Sequence, residues 1–159
     1  MPHYALIDCA VDPALFPMVA KEAQYKCLFA GALDPALIAA APYIVRLDQG
    51  SALHKALLGP GWSAHWGMIV ASPADLMTVR KALRENLQVM LPDHKVVLFR
   101  FYDPRVFVPY IEACADAELD PWFDPVTDYW AAGPEGTLHY QRGPQGLIRR
   151  LLPAATPAP

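Results

Sequence analysis

Lys95–Val96–Val97–Leu98–Phe99–Arg100–Phe101 (KVVLFRF), followed at once by Tyr102–Asp103–Pro104, decides the fold class. A run of β-branched and aromatic residues without glycine or proline reads as a strand. Asp103 then supplies a helix N-cap acceptor, and the fixed φ of Pro104 suits a first helical turn. A helix is therefore predicted from here to about Cys114. On the other side stands the best amphipathic helix of the chain. Ser72–Pro73–Ala74–Asp75 forms its cap, and Leu76, Val79, Leu83, Leu87 and Met90 recur at helical spacing until Pro92 ends it.

Working outward, the same alternation recurs. His3–Ile7 reads as a short buried strand, Asp12–Pro13 opens a helix reaching Ala23, and Tyr25–Ala30 is a strand ended by Gly31. Asp34–Pro35 opens a helix closed by Pro42, and Tyr43–Leu47 is a strand. Ser51 caps a helix ending at Gly59, and Trp66–Ala71 is a strand. This order predicts a single α/β domain over residues 1–152, with a mixed sheet of mainly five to six strands and helices packed on it. The short connections allow some antiparallel pairs.

Beyond Glu112 the pattern changes. Residues 104–135 hold seven acidic residues against Arg105 alone, with Trp122, Phe123, Tyr129 and Trp130 interleaved. This part is expected to be a short, irregular aromatic and acidic C-terminal portion. Thr137–Gln141 reads as a last short strand, Leu147–Leu152 (LIRRLL) as a turn and a half of helix, and residues 153–159 as a disordered tail.

The chain has 159 residues and a formal charge of −3, which argues against nucleic acid or an anionic membrane as partner. Charged residues are 18%, against about 25% in ordinary soluble domains. A surface short of charge leaves apolar area, which tends to be interaction area. Three widely spaced cysteines, Cys9, Cys27 and Cys114, make neither a disulfide framework nor a C-x-x-C pair, and fit reduced cytoplasmic thiols. Met1–Asp8 has no basic leader pattern, and Gly59, Pro60, Gly61 and Pro73 interrupt the uncharged stretch Ala56–Ala74, so no membrane span is expected.

Catalytic spacings are largely missing. Gly61–Trp62–Ser63–Ala64–His65 departs from the G-x-S-x-G elbow at His65, and a helix precedes it where a strand should. A small serine hydrolase using Ser63 with His65 or His54 is the alternative function, since an i,i+2 pair on a strand points one way. The five histidines show no metal-binding spacing, and no glycine loop cradles phosphate, so neither metal nor cofactor is expected. The densest polar group is Arg100–Tyr102–Asp103–Arg105. Strand alternation would put Arg100 and Tyr102 on one face and Phe99 and Phe101 on the other. Two readings stay open for Arg100: an internal staple to Asp8 or Asp48, or an anchor for a partner's carboxylate. Arg46 raises the same choice.

Tyr4–Asp8 (YALID), Ala40–Leu47 (AAPYIVRL), Trp66–Ser72 (WGMIVAS) and above all Leu83–Phe107 (LRENLQVMLPDHKVVLFRFYDPRVF) resemble the adaptor-chaperone domain of bacterial type VI secretion, once catalogued as a domain of unknown function and later called the Tap or TEC adaptor family. The resemblance covers residues 4–115. It implies a cytoplasmic, non-enzymatic adaptor that binds a cognate toxic effector and promotes its loading onto the VgrG spike, with or without a PAAR-repeat tip. The motif positions it carries over are Tyr4, Asp8, Pro42, Arg46, Leu83, Arg84, Arg100, Asp103, Pro104 and Arg105, mostly expected to hold the fold. The family commonly has a glycine where this chain has His94. Trp122, Phe123, Tyr129, Trp130 and Arg105 are the expected partner-facing residues, because Trp, Tyr and Arg are favoured anchors; the alternative is that the aromatics complete the core.

Overall fold

The computed structural model describes residues 1–153; residues 154–159, most of the expected tail, lie outside the described part. The chain is a single α/β domain. A seven-stranded sheet is built from β1 (His3–Asp8), β2 (Tyr25–Cys27), β3 (Pro42–Arg46), β4 (Gly67–Ala71), β7 (Asp128–Gly133), β8 (Gly136–Gly143) and β9 (Gly146–Leu152), in the order β2-β3-β1-β4-β7-β8-β9. Every pairing is antiparallel. The sheet is therefore not mixed, and it has one or two strands more than expected.

The extra strands come from the C-terminal part, which is regular. β7, β8 and β9 form a meander through two two-residue turns, Pro134–Glu135 and Pro144–Gln145. LIRRLL is strand β9, not helix. Alternate Leu147, Arg149 and Leu151 lie on one face with Ile148, Arg150 and Leu152 on the other, and pairing with β8 outweighs the weak helical spacing of so short a run.

Six short α-helices cover the sheet: α1 (Leu15–Val19), α2 (Pro35–Ala40), α3 (Ala52–Ala56), α4 (Leu76–Arg84), α5 (Pro104–Ala113) and α6 (Asp116–Leu119). Asp34, Ser51, Asp75 and Asp103 each cap a helix with a side-chain oxygen. The cap of α4 is thus Asp75; Ser72 is buried and donates to the Pro125 carbonyl at 2.7 Å. α1 is shorter than expected, ending at Val19. α4 stops at Arg84, so Leu87 and Met90 lie beyond it.

Two hydrophobic layers flank the sheet. One joins Tyr4, Leu6, Ile44, Met68, Val70, Tyr129 and Tyr140 to α4 and α5. The other joins Ala5, Ile7, Val45, Ile69 and Trp130 to α1 and α3. A sheet buried on both faces explains why its central strands read as continuous apolar runs. At the centre, a side chain on Gly67 would stand 1.8 Å from the Leu6 carbonyl oxygen, so only glycine fits between β1 and β4.

KVVLFRF is not part of this sheet. Only Val96–Leu98 is a strand, β6, and it pairs with β5 (Gln88–Met90) as a separate two-stranded ribbon. Phe99–Asp103 is irregular, and both Phe101 and Tyr102 are buried, so the expected alternation fails there. Phe101 instead packs edge-on against Trp122, ring centroids 5.3 Å apart.

Candidate functional site

The ribbon is the most exposed apolar feature of the described residues. Met90 is 67% exposed, Val96 57% and Leu98 48%, and the register puts all three on one face of the ribbon. Leu91, at the turn, is also exposed. A hairpin of two strands is marginal in water unless a third element completes it. Here the base is held by the Phe99 N–H donating to the Leu87 carbonyl at 2.8 Å, and Leu87 is buried in the core. At the tip, His94 takes φ 65°, and its N–H donates to the Leu91 carbonyl at 2.9 Å. The ribbon is thus positioned from its ends while its outer apolar face meets solvent.

A groove of about 840 Å³ opens on the same flank, lined by Phe16, Tyr25, Cys27, Ile38, Tyr43 and Met77 among others. It lies beside β2 and under α2, a helix with no buried residue. Phe29 lines both this groove and a smaller cleft that includes Leu87 and Leu98, so the two openings are neighbours on either side of one side chain. Burial raises the pKa of the Cys27 thiol.

The edge of the sheet in that groove is closed. Gln24 and Leu28 bond to β3, which turns the carbonyls of Cys27 and Phe29 outward. Arg80 from α4 donates to both, at 2.6 and 3.3 Å. A charged side chain over outward carbonyls is one way in which edges are kept from pairing.

Of the partner-facing residues expected from sequence, the aromatics lie elsewhere. Trp122 is 3% exposed, Tyr129 0% and Trp130 8%, and Phe123 is half-buried. Trp122 sits amid Phe99, Phe101, Phe107 and Tyr110, Tyr129 donates to the Trp122 carbonyl, and Trp130 stacks on His139 at 4.7 Å. All four pack in or against the core: Tyr129 and Trp130 lie on β7, a central strand and not the irregular segment expected, and Trp122 and Phe123 precede it, so their placement is that of the core alternative. Arg105 is exposed, but its guanidinium folds back on Asp103 at 2.9 Å.

Most of the family-motif residues are buried or paired within the chain. The Tyr4 hydroxyl donates to the Ala74 carbonyl at 2.6 Å, and Leu83 and Pro104 are buried. Pro42 is buried in β3, whereas Arg46 at its end is exposed and makes no ion pair among the described residues. Arg84 is half-buried on α4. Arg100 pairs with Asp8, one of the two carboxylates expected for the staple. Burial would raise the carboxyl pKa of Asp103, but the side chain and backbone N–H of Arg105 outweigh it and hold the group below its ordinary range.

Ser63 and His65 do not share a strand. They follow a π-turn (Leu57–Gly61), and His65 takes φ 57°. Among the described residues no hydrogen bond joins Ser63 to His65 or His54; the His54 Nδ1 accepts instead from the Gly50 N–H at 3.2 Å. Among those residues, no three of His, Cys, Asp or Glu are gathered to hold a metal ion. No helix there is long and apolar enough to cross a membrane.

Sequence reasoning missed the ribbon as a separate unit. The sequence carried little signal for it: Leu87 and Met90 fit the helical spacing that starts at Leu76, and the apolar run Val96–Val97–Leu98 reads equally as a strand of the main sheet.

Comparison with curated proteins and with solved structures returned no match. Residues 3–120 match the family described as "Domain of unknown function (DUF4123)". With β1 to β4, the ribbon and α1 to α6 all inside that match, the chain belongs to the DUF4123 family.

Proposed function

We propose that this chain is a docking protein: an adaptor that binds a cognate type VI secretion effector in the cytoplasm and promotes its loading onto the VgrG spike or a PAAR-repeat tip, with no bond made or broken. The outer apolar face of the ribbon carries this reading. An exposed apolar face on a rigidly based hairpin is a surface waiting for a partner, and the groove neighbouring it across Phe29 enlarges the contact. The sequence resemblance over residues 4–115 supplies the class of partner. A loading adaptor must also release its cargo, which suits a contact of modest area.

The test is a Val96→Asp/Leu98→Asp variant in the full chain. Both residues face solvent, so the unfolding free energy from urea titration should fall by no more than about 1 kcal/mol for the two together. Binding to the purified toxin that the wild-type chain captures should weaken at least about a hundredfold, as a buried charge without a partner requires. Equal binding by variant and wild type would remove the ribbon from the interface. Failure of the wild-type chain to bind any toxin or spike protein of its native cell would remove the adaptor reading itself.

A further inference from the structure

The two edges of the seven-stranded sheet are treated differently. Arg80 closes the β2 edge, as described above. The other edge is β9, seven residues and about 23 Å long. Gly143 and Gly146 flank a two-residue turn and form a hydrogen-bonded pair, and antiparallel pairs then alternate. Ile148, Arg150 and Leu152 therefore bond to β8, and the N–H and C=O groups of Leu147, Arg149 and Leu151 point away from the sheet. The β7–β8 register agrees independently: Gly133 and Gly136 flank the previous two-residue turn, which leaves Thr137, His139, Gln141 and Gly143 of β8 free to bond β9. Among the described residues no backbone group bonds to the outer side of β9.

The side chains of β9 select what can pair there. Leu147–Ile148 and Leu151–Leu152 frame Arg149–Arg150, one arginine on each face. Arg149 meets Glu112 at 2.7 Å and is half exposed. Arg150 is exposed, and its recorded contact is the neutral side-chain oxygen of Gln141. A second copy of β9 placed antiparallel about the strand centre would set arginines against arginines, which disfavours self-pairing. A strand with two adjacent acidic residues between apolar ones would set a carboxylate beside each arginine.

We propose that β9 is a docking edge that accepts, by strand addition, an extended segment of a partner protein with two adjacent acidic residues flanked by β-branched apolar residues. Main-chain bonds to Leu147, Arg149 and Leu151 supply the affinity, and the arginine pair supplies the selection. This surface is separate from the ribbon and stands on its own observations.

The probe is the blocked octapeptide Thr-Val-Val-Glu-Glu-Val-Val-Thr, compared with the same peptide carrying Lys-Lys at its centre, against the full chain. Amide hydrogen exchange at Leu147, Arg149 and Leu151 should be fast in the free protein and slow at least about tenfold with the acidic peptide, but not with the lysine peptide. Arg150→Glu, a change at an exposed side chain, should abolish the preference between the two peptides, because it leaves one arginine and one carboxylate on the strand. Leu151→Pro removes an outward N–H and no β8 bond, and should abolish the protection while the β8–β9 amides stay protected. Val96→Asp/Leu98→Asp should leave all of this unchanged, so the failure of one surface is distinguishable from that of the other. Equal response to both peptides, no response to the acidic one, or concentration-dependent protection of the free protein by self-pairing would each overturn the proposal.

Discussion

Arg100, just past the β5–β6 ribbon, donates a charge-assisted hydrogen bond to Asp8 at the end of β1, across 92 positions of chain. The Asp8 carboxylate is buried while the Arg100 side chain is 46% exposed, so the arginine caps a buried anion from the solvent side. The other oxygen of Asp8 accepts the Ala10 N–H at 3.1 Å. The pair ties the irregular Phe99–Asp103 segment to the sheet and so orients both the ribbon before it and α5 after it.

Arg100→Ala should therefore destabilise the fold by about 1–2 kcal/mol, less than for a fully buried pair because solvent reaches the arginine. Adding Asp8→Asn should recover part of that loss, since no unpaired buried charge remains. Urea unfolding of the two single variants and the double variant measures the coupling; strict additivity would mean that the contact contributes nothing.

Trp122→Ala should cost about 3–5 kcal/mol, as removal of a buried tryptophan from an aromatic cluster does. The expected readout is a large drop in urea midpoint, with loss of binding only in proportion to the unfolded fraction. A folded Trp122→Ala protein with selective loss of partner binding would contradict the core placement.

His94→Gly should stabilise the chain by up to about 1 kcal/mol. At φ 65° a side chain costs energy that glycine avoids, although the added freedom of glycine in the unfolded chain offsets part of the gain. His94→Val should destabilise, because a β-branched residue fits this conformation worst. Thermal midpoints of the three proteins give the order.

Asp103 gives a pH dependence of known sign. Its folded pKa is lowered, so the stability it contributes is fully present above the unfolded carboxylate value near ~3.9 and is lost as pH falls through the lower folded value. Arg105→Ala should leave stability at pH 7 within about 1 kcal/mol of wild type, the pair being partly exposed. It should also flatten the decline between about pH 4 and pH 2. Urea midpoints across that range check the slope.

Much of the fold was legible in local chemistry. β1, β3, β4 and α5 stand within a residue or so of their expected positions, and the caps at Asp34, Ser51 and Asp103 act as their side chains suggest. These features depend on neighbours in sequence: a proline that sets φ, an acid that reaches an N–H three residues on, a branched run that prefers extension. The pairing of Arg100 with Asp8 was one of several open partners until the chain closed on itself.

Three matters needed the tertiary structure, and each concerns what lies beyond sequence neighbours. LIRRLL became a strand because β8 offers it a ladder, a partner that no window of six residues contains. KVVLFRF stands outside the main sheet: β1 has both edges occupied, by β3 and β4, and the partner of Val96–Leu98 is β5, the strand nearest to it in sequence. Tyr129 and Trp130 turned inward because β7, which carries them, lies between β4 and β8, where both faces are covered. Residue types determined which segments could extend, coil and cap; the competition among segments for hydrogen-bond partners and for burial, a property of the whole chain, decided which apolar groups remained at the surface.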